Sequence, residues 1–205
     1  MHIQTVNIHF TPGLSAMNSA LPKAFMDSTP AEDPATAAFS DRAAHATHTP
    51  PRIGQTWPEQ GGIYLGVMPG EGGKPDYHLI LSDKAGEFKD LAWGGYGHDE
   101  PGAKSDNDGL ANTQALQASD ELHPAADRAA ELDLAGFTDW YLPARNELRL
   151  AYITAKQHFD TEPYYWSSTQ SSDDGAWDQT FNNGNQGYSH KEFEGRVRFV
   201  RRLEI

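Results

Sequence analysis

Four pieces of the last quarter of the chain decide its reading: Trp166-Ser167-Ser168-Thr169-Gln170, then Ala176-Trp177-Asp178-Gln179, then Asn182-Asn183-Gly184-Asn185-Gln186-Gly187-Tyr188-Ser189-His190, and last Arg196-Val197-Arg198-Phe199-Val200-Arg201-Arg202. The first and last are aromatic or Val/Arg-rich, as structural strands are. Between them lie Asn, Gln, Ser and Tyr, which make adaptable hydrogen bonds or rigid contacts at low entropy cost, as recognition surfaces do. This composition predicts a scaffold that displays a contact patch rather than a catalytic pocket.

Upstream, Asp139-Trp140-Tyr141-Leu142-Pro143-Ala144 and Asn146-Glu147-Leu148 complete the pattern. With them, residues 61–203 resemble the collagen-like adhesin C-terminal (Lcl-C) family, which is similar to C-type-lectin-like domains. The tail also resembles the variable proteins of diversity-generating retroelements, including phage tropism determinants. In those proteins hypervariable ligand contacts lie between the Trp-Ser-Ser and Val-Arg-x-Val-Arg-Arg motifs. The resemblance implies an α+β, C-type-lectin-like fold with antiparallel strands and two to three helices.

It further implies a ligand-binding patch of Asp173, Asp174, Trp177, Asp178, Gln179, Asn182, Asn183, Asn185, Gln186, Tyr188, Ser189 and His190. The function it implies is receptor binding at a phage tail-fibre tip, with a bacterial surface receptor (protein or glycan) and virion tail-fibre components as partners. By the same analogy the chain is expected to be a homotrimer. The alternatives are a bacterial surface adhesin or diversified ligand-binding protein, an enzyme of the formylglycine-generating-like fold, and a purely structural virion component. Residues 1–60 resemble nothing in these families.

At 205 residues the chain can bury the core of one ordinary domain and still carry an appendage. It has no cysteine, which excludes disulfides, thiolate metal sites and the catalytic thiols that formylglycine-generating enzymes need. A net charge of -13 argues against nucleic acid as a partner, because phosphate binding needs a basic footprint. Acidic residues crowd positions 71–133, while Arg196, Arg198, Arg201 and Arg202 cluster at the end. These arginines are read as ion-pair partners of the acidic middle, with contacts to acidic sugars or phosphate as the alternative. Residues 1–10 lack the basic start and apolar core of a signal peptide, and no run approaches the ~18 apolar residues of a membrane span. The expected setting is therefore a virion component made in a host cytoplasm, without membrane insertion.

Residues 3–10 are β-prone and end at the turn signal Thr11-Pro12-Gly13. Residues 15–51 are rich in Ala, Pro, Ser, Thr and His and lack apolar periodicity, so they read as a linker, or as an arm that orders only against a partner. Residues 1–60 are accordingly assigned to an attachment or oligomerisation arm and 61–205 to a recognition domain. Alternation at Ile63, Leu65 and Val67 and at Tyr77, Leu79 and Leu81 predicts a hairpin, and residues 88–93 a further strand. Helices are expected at 110–118, capped by Asp108, at 125–134 after Pro124, and from Pro143 with Leu148, Ala151, Tyr152 and Ala155 on one face. Strands follow at 164–168, 176–181, 187–191 and 196–203. Strands, then helices, then strands, without βαβ alternation, means an α+β domain.

Trp140 and Trp166 are read as core. Trp177 stands between core and sugar-stacking platform, because Asp178 and Gln179 beside it look exposed. The Asn182–Asn185 segment reads first as a hairpin turn, since Asn and Gly supply positive φ. Asp106-Asn107-Asp108-Gly109 suggests calcium, but the EF-hand pattern would put Lys104 and Ala115 at its acidic positions, so a helix-start turn is preferred. Asp173 and Asp174 next to Asp178 form a weaker cation candidate. There is no Gly-x-Ser-x-Gly, phosphate-binding loop or His-Glu-x-x-His, and the histidines show no metal-ligand spacing. No catalytic residue, metal ligand or cofactor is assigned, and the chain is read as a binding protein, not an enzyme.

Overall fold

Alternating apolar residues and tight turns build two sheets in the computed structural model, which describes residues 49–205. The β-prone start at 3–10 and most of the expected arm lie outside the described residues. The strands are β1 (Thr56–Trp57), β2 (Gly62–Met68), β3 (Tyr77–Ser82), β4 (Glu87–Ala92), β5 (Tyr165–Gln170), β6 (Gly175–Gln179), β7 (Gln186–His190), β8 (Glu194–Arg198) and β9 (Val200–Glu204). Between β4 and β5 lie three helices, α1 (Gly109–Gln117), α2 (Pro124–Ala130) and α3 (Arg145–Ala155). The four-stranded sheet runs β1-β2-β3-β9, and the five-stranded sheet runs β4-β8-β5-β6-β7. All pairings are antiparallel except β5 with β8. The α+β class with antiparallel-rich sheets and three helices is therefore present. Strand β1, which precedes the boundary expected at residue 61, pairs with β2 and buries Trp57.

Two differences from the expected elements have physical causes. The terminal strand 196–203 is two strands in two sheets, because Phe199 leaves the ladder. Its N–H donates to the Gly86 carbonyl (3.4 Å) and its carbonyl accepts from the Ser82 N–H (2.9 Å). The break lets Val197 and Phe199 enter one core while Val200 enters the other. Pro143 does not begin α3, which starts at Arg145 after an extended Ala144. Pro124 does sit in the first turn of α2, where its missing N–H leaves no helical bond unmade. Asp108 caps α1 as expected, its Oδ1 accepting the Ala111 N–H at 3.1 Å.

One core packs Leu65, Leu79, Leu81, Leu148, Phe181 and Val200 between the four-stranded sheet and α3. The second gathers Trp93, Leu116, Trp140, Trp166 and Phe199 under α1 and α2. Trp140 (4% exposed) and Trp166 (0%) are core residues. Where α3 begins, the buried Glu147 carboxylate accepts from the Tyr77 hydroxyl (2.6 Å), the Tyr141 hydroxyl (2.7 Å) and the Ala144 N–H (2.8 Å). Burial raises the Glu147 pKa, against the lowering effect of these donors and of Arg202. These bonds fix the start of α3 against β3, and with it the position of Arg145.

The acidic middle holds three of the four terminal arginines, through Glu87 and Asp108, while Arg201 finds its carboxylate outside it, at Asp139. Arg198 pairs with Glu87 (3.1 Å), Arg196 with Glu87 (3.1 Å) and Asp160 (2.9 Å), Arg201 with Asp139 (2.7 Å) and Arg202 with Asp108 (2.8 Å). Burial pushes the Asp108 carboxyl up, but hydrogen bonds from Lys74, the Ala111 N–H and Arg202 leave it below its usual range. Asp108 is thus committed to a helix cap and two cations, the helix-start role rather than a calcium loop.

Candidate functional site

The β6–β7 hairpin is regular because its turn is stapled from within. Asn183 Oδ1 accepts from the Asn185 N–H (2.9 Å) and the Thr180 hydroxyl (2.7 Å), and the Thr180 N–H reaches the Asn185 carbonyl (2.9 Å). Gly184 has φ +78, and a Cβ there would meet the Tyr152 ring at 2.4 Å, so this position needs glycine twice over. Arg149 donates to the Gly184 carbonyl at 2.6 Å, tying the turn to α3.

Register divides the expected patch between the two faces of the hairpin. Trp177 opposes Tyr188, Gly175 opposes His190 and Gln179 opposes Gln186. Side chains alternate along a strand, so Trp177, Tyr188, His190 and Gln186 share one face. Asp178 and Ser189 belong to the other, where the Ser189 hydroxyl donates to Asp178 Oδ2 at 2.8 Å. The expectation that Asp178 and Gln179 are exposed is corrected: they are 6% and 0% exposed. Asp178 turns inward, and burial raises its pKa despite the lowering hydrogen bonds from Ser189 and the Gly187 N–H. Gln179 is structural: its Nε2 donates to the Thr180 (2.9 Å) and Asn185 (3.0 Å) carbonyls. Because both partners are carbonyls, the amide orientation is settled, and its Oε1 is a buried acceptor without a protein partner among the described residues.

The remaining patch residues are displayed. Tyr188 is 69% exposed, and Asn182, Asn183, Asn185, Asp173, Asp174 and His190 are exposed as well. Trp177 is half-buried: the Arg145 guanidinium lies 3.6 Å from its ring centroid, and Tyr188 meets it edge-on at 6.1 Å. Arg145 and Gln186 bond to each other twice, Nε to Oε1 at 3.3 Å and Nε2 to the Arg145 carbonyl at 2.8 Å. Asp173 and Asp174 do not converge with the inward Asp178, and no cluster of His, Asp or Glu suited to a metal ion occurs among the described residues.

The structure adds residues that the sequence reading did not assign to the patch. Tyr96 stacks on His190 (5.9 Å, 21°), which stacks in turn on Phe193 (5.3 Å, 15°). Tyr96 is 44% exposed and Phe193 52%, so with Tyr188 they form an open aromatic stripe. The Gly94-Gly95-Tyr96-Gly97 loop is brought to the hairpin only by the fold. Buried Lys191 pins it there by donating to the Gly95 (3.2 Å) and His98 (2.7 Å) carbonyls and to Gln170 Oε1 (3.1 Å). Burial lowers the Lys191 pKa, and the carboxylates of Glu100, Asp173, Asp99 and Asp174 act in the opposite direction. The loop is also fastened by His123, whose ring nitrogens contact the Trp93 carbonyl (3.2 Å) and Glu100 (3.0 Å).

Chemically, this arrangement offers ring faces and edges, exposed amides and carboxylates on a braced sheet. Among the described residues no helix is long and apolar enough to cross a membrane. A comparison with curated proteins found no match. Among solved structures the chain is similar to a fimbrial protein from Bacteroides ovatus, at 15% identity and a TM-score of 0.43. The match covers 60% of this chain and 35% of that protein, and overlap at this level decides neither fold nor function. The family comparison is decisive: residues 87–201, more than half of the 205, match the Lcl C-terminal domain, and the chain belongs to that family.

Proposed function

We propose that this chain is an adhesin-type binding protein whose ligand contacts lie on the outward face of the β6–β7 hairpin. The observation that carries this reading is the open aromatic stripe of Tyr188, His190, Tyr96 and Phe193 on a hairpin whose turn and neighbouring loop are fastened by buried groups. Preorganised aromatics bind with little loss of conformational entropy, and interface energy concentrates in a few such anchors. Family membership supports the adhesin-type role. The antiparallel sheets joined by a helical middle, with the last strand paired to the first long hairpin, support a C-type-lectin-like fold. The finer setting is a receptor-binding protein at a phage tail-fibre tip, facing a bacterial surface protein or glycan. It acts by binding, without catalysis.

The test is adsorption of the purified protein to receptor-bearing and receptor-deleted bacterial cells, alongside a glycan array. Alanine variants that keep the wild-type melting temperature are compared. Loss of adsorption in Tyr188→Ala or Phe193→Ala supports the site, and full adsorption by every variant on the stripe overturns it. Adsorption that discriminates between host strains in step with a phage's host range supports the tail-fibre setting.

A further inference from the structure

The four edges of the two sheets are not treated alike. An open edge invites pairing with another chain, and proteins block it with short strands, bulges, charge or cover. Strand β1 spans two residues. Strand β4 is bulged between Phe88 and Leu91, with the charged Lys89 and Asp90 at the irregularity. Strand β9 carries Arg201, Arg202 and Glu204, and Tyr141 bridges to Val200 at its start. Strand β7 shows none of these devices among the described residues: Gln186-Gly187-Tyr188-Ser189-His190 has no Lys, Arg, Asp or Glu and keeps an unbroken register with β6.

Its free backbone groups can be named. The Thr180 N–H bonds to the Asn185 carbonyl and the Lys191 N–H to the Asp174 carbonyl, which sets the phase of the ladder. In an antiparallel ladder hydrogen-bonded and non-bonded pairs alternate. Gly187 and Ser189 therefore bond to β6, while the N–H and C=O of Gln186, Tyr188 and His190 point away from it; of these the His190 carbonyl already accepts the Phe193 N–H (2.9 Å). No other described strand takes them up. The edge is also electrically polar. At the Gln186 end stand Arg145 and Arg149, held by Gln186 and the Gly184 carbonyl. At the His190 end stand the exposed Asp173, Asp174 and Glu192.

We propose that β7 is a self-pairing edge: two copies of this chain join antiparallel along β7 about a two-fold axis at Tyr188. A second copy is the occupant that the charges select, because a two-fold pairing sets the arginine end of each strand against the carboxylate end of the other. Tyr188 then exchanges both backbone bonds with its own counterpart, and Gln186 pairs with His190. Such an interface is isologous and closes on itself. It joins the two aromatic stripes into one platform across a continuous sheet, which multiplies weak contacts at a cell surface. The homotrimer expected by analogy does not provide this pairing.

The test uses the full chain and reads mass and cross-linking, not adsorption, so its outcome is separate from that of the proposed binding function. Sedimentation equilibrium at up to about 100 μM should show a species of twice 22.6 kDa. Tyr188→Pro removes only an outward-facing N–H, which an edge strand tolerates, and should weaken dimerisation at least about tenfold. Because the chain has no cysteine, single-cysteine variants read the register directly. Tyr188→Cys should form a disulfide-linked pair on oxidation, since Cα atoms of a hydrogen-bonded pair lie ~5.5 Å apart. Gln186→Cys should not, because its counterpart lies four positions away, about 14 Å. A wild-type monomer, as when residues 1–48 of the same chain occupy the edge, overturns the proposal. So does an oligomer, of three copies or any other number, whose mass Tyr188→Pro leaves unchanged, or equal cross-linking at both positions.

Discussion

Strands β8–β9 and the β6–β7 hairpin lie within the same thirty or so residues of chain and are both polar, yet they meet opposite fates. On β8–β9 the arginines turn into the protein: Arg198 and Arg201 are 2% and 6% exposed and find Glu87 and Asp139. On β6–β7 the side chains of Tyr188 and His190 turn out, while Asp178 turns to the opposite face and Gln179 is drawn into the turn by the Thr180 and Asn185 carbonyls. Polar character alone says nothing about which residues bind a ligand. Long charged residues can be the scaffold, and a tyrosine can be the surface. The physical reason is partnership: a buried guanidinium is tolerable only with its carboxylate in place, whereas a hairpin edge without a covering element leaves its side chains to water.

The sharpest ways to break this comparison are on the scaffold side. Trp166→Ala removes a fully buried ring that also donates to the Leu91 carbonyl (3.0 Å), and should cost ~3–5 kcal/mol of unfolding free energy by denaturant titration. Arg198→Met leaves Glu87 buried beside the more exposed Arg196 and should cost up to ~3–5 kcal/mol. A melting temperature equal to wild type in either variant would make that residue surface-like and erase the contrast. On the display side, Tyr188→Ala should weaken ligand binding by ~2 kcal/mol or more with the melting temperature unchanged. A variant that loses stability instead would place Tyr188 in the scaffold.

Asp178 tests the inward half of the hairpin through pH. Burial raises its pKa, so the folded state keeps a proton that the unfolded chain releases, and stability falls as pH rises from the ordinary Asp value through the raised one. Asp178→Asn removes this penalty while keeping an acceptor for Ser189. Its stability relative to wild type should increase with pH across that window in melts run from acid to neutral pH. A pH-independent difference would mean that Asp178 is not desolvated. The smallest effect is expected for Asn185→Ala: its side chain is exposed and should change stability by no more than about 0.5 kcal/mol.

Local pattern made much of this legible. Alternation at Ile63, Leu65, Leu79 and Leu81 marked the first hairpin, Asp108 and Pro124 marked two helix starts, and Trp140 and Trp166 read as core. The Asn182–Asn185 turn was readable because its chemistry is local: Asn183 and Gly184 shape it by their own side-chain bonds and φ. The break at Phe199 was not, since nothing near it is a turn former; the carbonyl that takes its N–H belongs to Gly86, more than a hundred residues earlier. Asp178 and Gln179 were misjudged because polar residues in a strand are read as exposed: Asp178 lies on the inward face with Ser189, and Gln179 is held in the turn by the Thr180 and Asn185 carbonyls.

The sequence by itself determined the α+β class, the family, the disulfide-free chemistry and the position of the displayed hairpin, because composition, period and turn residues act over a few neighbouring residues. Only the tertiary structure decided which half of the patch faces water and which loop joins it. Those outcomes rest on contacts between distant segments: Lys191 with Gly95 and His98, Tyr96 with His190, Arg145 with Trp177. Such contacts follow from the packing of whole elements, which no local stretch of sequence encodes.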